Sequence, residues 1–232
     1  MVITGAGDGI MRAANEGAGR ENSFGVNILL PFEQEANPSI VDDPKLITFK
    51  YFFTRKLFLV KEASAVALFP GGYGTMDETF ELLTLIQTGK SAIIPVVLIE
   101  AGPKPYWRIW HRWIAGTLVE RGLIDPEDTS LFRIVDTPDE AVAEMTSFYR
   151  VYHSSRIVGD DLVFRLTRPI HPGHLTELQD KFGDILKGQA RLAPGPVPQE
   201  LNEFPELARL ILPFDHRSFG RLRQLIDFVN QP

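Results

Sequence analysis

Ala65-Val66-Ala67-Leu68-Phe69-Pro70-Gly71-Gly72-Tyr73-Gly74-Thr75-Met76-Asp77-Glu78 is the stretch on which the fold turns. A short apolar run, Ala65–Phe69, stops at Pro70, and closely spaced glycines lead into a helical pattern over Thr75–Thr88 that Gly89 ends. A buried strand, a glycine loop and a helix start, in that order, let backbone N–H groups converge on an anion. The free N–H groups and positive dipole end of the helix add to that pull. The glycines alone say little; the strand before them and the helix after them point to a phosphate.

Outward from this stretch, short apolar runs alternate with longer amphipathic ones. Upstream, Val2–Thr4 reads as a strand stopped by Gly5 and Gly9 to about Arg20 as a helix. Phe24–Leu30 reads as a strand, Leu46–Phe49 as a short extended piece and Phe52–Ala63 as an apolar-rich helix. Downstream, Ile93–Ile99 is a strand with Pro95 near its start, Tyr106–Arg121 a helix carrying Trp107, Trp110 and Trp113, and Leu131–Val135 and Pro138–Tyr149 a last strand and helix. This alternation predicts an α/β domain, a parallel sheet covered by helices, over residues 1–150. The texture changes after Tyr152. A strand at Leu162–Leu166, a helix at Gly173–Leu186, a proline-rich loop from Ala193 to Pro205, a strand at Leu207–Pro213 and a helix at Ser218–Asn230 predict a small α+β extension over 151–232.

Composition narrows the function classes. The chain has 232 residues, 44% of them hydrophobic and 23% charged, which suits an ordinary packed core. The net charge is -6. An acidic surface has no general attraction for a nucleic-acid polymer, so a phosphate ligand must be held locally. With no cysteine, disulfides, thiolate catalysis and cysteine-based zinc sites are excluded. The five histidines form no metal-binding pair, so no metal and no cofactor is expected. No apolar run reaches the roughly 20 residues of a membrane span, and Met1-Val2-Ile3-Thr4 lacks a signal-peptide layout. A soluble cytoplasmic protein without a membrane partner is the expectation.

Three further features bear on chemistry. Thr4-Gly5-Ala6-Gly7-Asp8-Gly9 joins the first strand to the first helix, so Gly5, Gly7 and Gly9 form a second glycine turn at a strand end, the edge where α/β sheets bind ligands. Glycine in such turns also serves conformation alone. Arg55-Lys56 sits in the otherwise apolar Phe52-Phe53-Thr54-Arg55-Lys56-Leu57-Phe58. Those cations either snorkel from a partly buried helix or reach a phosphate or ribose. Thr75-Met76-Asp77-Glu78 fits a capping box, Thr75 at the N-cap and Glu78 at N3, and carboxylates there also suit the helix dipole. Against a purely structural Glu78, helical spacing sets Asp77, Glu81, Thr84 and Thr88 in one polar stripe, which either lines a cleft or faces solvent.

Pro70-Gly71-Gly72-Tyr73-Gly74-Thr75-Met76-Asp77-Glu78 matches the PGGxGTxxE motif of the LOG (Lonely Guy) family, and Arg55-Lys56 stands where that family has its Arg-Lys pair. Thr4-Gly5-Ala6-Gly7-Asp8-Gly9-Ile10-Met11 is similar to the family's TGGGxGIM turn, with Ala6 where glycine is usual. The resemblance covers about residues 1–150, and the tail resembles an extension of longer bacterial members. It implies a Rossmann-like fold, usually dimeric or of higher homo-oligomeric order. It implies hydrolysis of the N-glycosidic bond of a nucleoside 5'-monophosphate bearing a purine or cytokinin base. Carried across, Arg55 and Glu78 become the catalytic pair. Lys56, Gly71, Gly72, Tyr73, Gly74, Thr75, Met76, Asp77 and Thr84, with Gly5, Gly7 and Gly9, become substrate-binding positions. Leu59 departs from the methionine that short members often have near the base. Family members have also carried a lysine decarboxylase label, but no lysine is set here as a Schiff base beside an acidic pyridine partner. The competing readings are a nucleotide or cofactor carrier that does not hydrolyse, and an inactive truncated homologue.

The family's first strand and helix have no counterpart ahead of Val2. In a Rossmann-like order 3-2-1-4-5 that strand is central, between Val2–Thr4 and Ala65–Phe69. The expectation is either a start codon set too late or a weakly folded product, with a chain extended upstream by about 40–60 residues being more stable and more active. Thermal melts and nucleosidase assays on both lengths are the check.

Overall fold

The computed structural model describes residues 1–29 and 35–231. Leu30, the expected end of the second strand, lies outside the described residues. Two compact units divide the chain, Met1–Ser64 and Ala65–Pro232.

In the first unit, β1 (Val2–Thr4), β2 (Ser23–Ile28) and β3 (Leu46–Phe49) form a parallel sheet in the order β1-β2-β3, with Thr4 opposite Gly25 and Val26 opposite Ile47. Helix α1 (Ile10–Ala18) packs on β1 and β2, and α2 (Phe52–Lys61) on β2 and β3. The one residue of helix α1 that is buried is polar, Asn15. That side chain accepts a hydrogen bond from the Thr4 hydroxyl at 2.8 Å and another from the Asn37 amide at 3.0 Å. Asn37 also donates to the Gly7 carbonyl, and its own N–H donates to the Ala6 carbonyl. A buried polar lock thus fixes the turn after β1.

Ala6 sits in that turn, fully buried, with φ at 59° in the left-handed region. This accounts for a glycine in the similar turn. Ala6→Gly relieves strain but loses a buried methyl and frees the unfolded chain, so stability should stay within about 1 kcal/mol of the parent. Ala6→Val puts a β-branched side chain into the same conformation and a closed space, and should cost about 2 kcal/mol or more. Denaturant titration distinguishes the two. A valine variant as stable as the parent would mean that the turn does not hold this geometry.

In the second unit, β4 (Val66–Leu68), β5 (Val96–Ile99) and β6 (Arg133–Val135) form another parallel sheet, ordered β4-β5-β6. All four residues of β5 are buried, as expected of a parallel strand covered on both faces. Val97 and Ile99 meet Ala141 of α5 (Pro138–Phe148), with Phe69, Val135 and Met145 packed around them. Helix α3 (Tyr73–Gln87) follows β4. Helix α4 (Trp107–Trp113) runs into a π-helical turn at Ile114–Val119. A 3-10 turn at Pro126–Leu131 shortens the strand expected from Leu131.

The C-terminal region of this unit departs from the expected strand–helix–strand–helix. Strands β7 (Tyr152–Val158), β8 (Asp161–Leu166), β9 (Arg191–Ala193) and β10 (Ala208–Leu212) make an antiparallel sheet in the order β7-β8-β10-β9. Helix α6 (Pro172–Phe182) and the last helix, α7 (Phe219–Val229), pack against each other. Helix α7 also binds back onto the parallel half of the unit. Beyond its end the Asn230 side chain accepts from the N–H groups of Val151 and Tyr152 and donates to the Phe148 carbonyl. Arg223 pairs with Glu144 and Asp227, and Asp227 pairs with Arg133. Burial pushes the Asp227 carboxyl above its ordinary range despite these cations.

Candidate active site

The chain enters helical geometry directly after the glycines, so α3 begins at Tyr73 and Gly72 is its N-cap, with no side chain capping it. The Met76 N–H donates to the Gly72 carbonyl at 3.2 Å, opening the helical ladder. The amides of Tyr73, Gly74 and Thr75 precede it and, by helix geometry, have no intrahelical acceptor. This corrects the expected capping box. Thr75 is in the first turn rather than ahead of it, its hydroxyl standing where a Cβ on Gly71 would fall, 2.1 Å away. Glu78 and Asp77 lie a turn further on, and the first turn holds no acidic residue. Glu78 therefore has no capping duty. It is half-buried, Asp77 is exposed, and Met76 and Glu81 are half-buried.

The surroundings of the loop suit an anion. Among the described residues, no atom beyond the local backbone lies within 4 Å of where a Cβ on Gly72 or Gly74 would stand, and Tyr73 is 96% exposed. On the other side, the Tyr106 hydroxyl donates to the Gly71 carbonyl at 2.5 Å. Tyr106 is held in turn by Glu100 at the end of β5, whose carboxylate accepts the N–H groups of Tyr106 at 2.9 Å and Arg108 at 2.7 Å. Burial alone would raise the Glu100 carboxyl, but those amides, that of Trp107 and the Arg108 charge hold it below the usual range. Sequence reasoning missed both residues. The available signal was an acid closing a buried strand, followed six residues later by a tyrosine at a helix start. Thr84 is placed differently. It helps to line a cavity of about 80 Å³ with Phe80, Trp110, Ile114 and Phe132. It sits roughly 16 Å along the helix from Tyr73 at the usual rise per residue.

In the first unit the structure brings Arg55 to the other glycine turn. The Arg55 side chain donates to the Val26 carbonyl at 2.9 Å, and a Cβ on Gly5 would fall 2.2 Å from a terminal guanidinium nitrogen. Glycine at position 5 is what admits the guanidinium. Lys56 is half-buried on the same helix. Gly9 is the N-cap of α1, with φ at 68°, and Gly7 gives its carbonyl to Asn37.

The family model described as "Possible lysine decarboxylase" matches residues 8–145, more than half of the chain. The chain belongs to the LOG family. The parallel sheets and their helices are that family's Rossmann-like α/β architecture, with an added antiparallel sheet. The matched span takes in the whole PGGxGTxxE stretch and Arg55-Lys56, and it ends before β7. LOG proteins bind nucleoside monophosphates and are enzymes as a class, consistent with a nucleotide phosphoribohydrolase. A search of curated proteins found no match. Among the described residues, no helix is long and apolar enough to cross a membrane, and no group of three or more His, Asp and Glu could hold a metal ion.

Proposed function

We propose that this protein hydrolyses the N-glycosidic bond of a purine or cytokinin nucleoside 5'-monophosphate, releasing the free base and ribose 5-phosphate. The observation that carries this reading is Glu78. It is a half-buried carboxylate one turn inside a helix whose N-terminus is open and capped only by glycine, so it has no structural duty at the cap. Cleaving the bond builds positive charge on the sugar, which a carboxylate stabilises while it positions water. The 5'-phosphate on the loop formed by Gly71, Gly72, Tyr73, Gly74 and Thr75 fixes the ribose for that step, with Met76 and Asp77 as further binding positions. Arg55 supplies a planar fork for phosphate or ribose oxygens, and Lys56 a second cation. Gly5, Gly7 and Gly9 keep the second turn slim, and Thr84 completes the set of binding residues.

In this reading residues 1–150 handle the nucleotide and 151–232 form the extension. The protein works in the cytoplasm as a homodimer or higher homo-oligomer and needs no cofactor.

The test is incubation with a panel of nucleoside monophosphates, read out as free base and ribose 5-phosphate, with lysine and its decarboxylation product as a separate arm. Release of base from one or more nucleotides supports the proposal. Nucleotide binding without release would favour the carrier reading, and turnover of lysine alone would favour the decarboxylase description. Arg55→Lys keeps the charge but cannot reproduce the bidentate fork, so it should already raise KM or lower kcat by about tenfold. Parent-like kinetics for both Arg55→Lys and Arg55→Ala would leave Arg55 a structural residue of its helix.

A further inference from the structure

We infer that Tyr106 is a positioning residue for the glycine loop: by holding the Gly71 carbonyl it aims the Gly72 N–H at the phosphate. This rests on the reading that the loop takes the substrate's phosphate. The carbonyl of Gly71 and the N–H of Gly72 belong to one peptide unit, and across a planar trans peptide they point in opposite directions. With the carbonyl drawn to the Tyr106 hydroxyl at 2.5 Å, the N–H is turned to the far side. Among the described residues, nothing beyond the local backbone would meet a Cβ on Gly72 within 4 Å, so no side chain crowds the loop there.

A peptide between two glycines is otherwise the easiest in the loop to rotate, since neither residue has a Cβ to restrict it. Two contacts remove that freedom. The Thr75 side chain fills the ground beside Gly71, and the phenol holds the carbonyl. The phenol itself stands on a firm post. Glu100, whose side chain is 9% exposed, anchors the backbone of Tyr106 and Arg108. Arg108 forks onto Asp136 at 2.7 and 2.9 Å. The Tyr106 ring meets the fully buried Trp107 edge to face at 4.9 Å. A donor already aimed at the anion needs no reorganisation when the ligand arrives.

The test is Tyr106→Phe, which removes one oxygen and keeps the ring on Trp107. KM for the nucleoside monophosphate should rise about three- to tenfold, the usual worth of one hydrogen bond, with kcat within about twofold. Inorganic phosphate should weaken by the same factor as a competitor. The Gly72 amide resonance should shift and broaden, with the melting temperature close to the parent's. An unchanged KM together with an unchanged Gly72 amide overturns the inference, as does an equal loss in kcat with no change in phosphate affinity. Failure of the functional reading is seen separately, as a parent that cleaves no nucleotide. The Gly72 amide and phosphate competition in the variant then decide the role of Tyr106 by themselves.

Discussion

Glu78→Gln should lower kcat at least ~100-fold, the lower end for a positioned acid–base group, while nucleotide affinity stays within a few-fold. The substitution removes a charge and almost no volume. Because Gly72 rather than Thr75 caps α3, and the first turn carries no acid, glutamine at 78 disturbs neither the cap nor the dipole. A fall in kcat with KM kept marks an interaction made in the transition state rather than in ground-state binding. The measurement is steady-state base release from the nucleotide that the panel identifies, beside calorimetric affinity for the same nucleotide. Near-normal turnover would leave Glu78 as an ordinary helix residue and shift the search to Glu81, the other half-buried carboxylate of that helix.

Much of this was legible from residue order, and the failures have identifiable causes. The run Pro95-Val96-Val97-Leu98-Ile99 announces a buried parallel strand because every side chain must be apolar where both faces are covered. The glycine loop announces itself because only glycine leaves the helix end open. Its cap was misread for a related reason. Thr75 has the better capping side chain, but the backbone turns helical two residues earlier, and a side-chain preference yields to the path of the chain. Strand β7 was missed because Tyr152-His153-Ser154-Ser155-Arg156 is polar. It is an edge strand, paired on one side to β8, and so needs little apolar patterning. The Thr4–Asn15–Asn37 lock joins residues distant in sequence, and the Tyr106 to Gly71 bond spans 35 positions. Neither leaves a local pattern. The burial of arginines in the C-terminal sheet leaves no local pattern either, since arginine in a strand ordinarily lies at the surface.

Arg209 of β10 is the clearest of these, and Arg209→Met should destabilise the second unit by about 3–5 kcal/mol, the usual cost of stranding one partner of a buried pair. Arg209 and Glu200 are both fully buried. The Arg209 Nε donates to Glu200 at 2.8 Å. The two terminal nitrogens donate to the carbonyls of Glu203, Phe204 and Leu207, which occupies the donors of the guanidinium. These bonds hold a segment in which Leu201, Asn202 and Phe204 all have positive φ, a conformation that side chains resist. Methionine keeps most of the aliphatic volume, removes every one of these bonds and leaves Glu200 with the Val197 N–H and, as its cation, Arg165 at 3.0 Å. Burial pushes the Glu200 carboxyl up, but Arg209, the Val197 amide and Arg165 together hold it below its ordinary range. A depressed carboxyl stabilises the parent above the unfolded pKa, and that contribution is lost as pH falls through the folded value. In Arg209→Met the principal cation is gone and the folded pKa moves upward, so Glu200 takes up a proton sooner on acidification. The stability gap between parent and variant should therefore be widest near neutrality and narrow towards about pH 4. Denaturant titration across that range measures it, and a Glu200→Met, Arg209→Met double variant should cost less than the sum of its single changes. A single variant within 1 kcal/mol of the parent, or a gap that widens with acid, would show that the pair carries little of the fold.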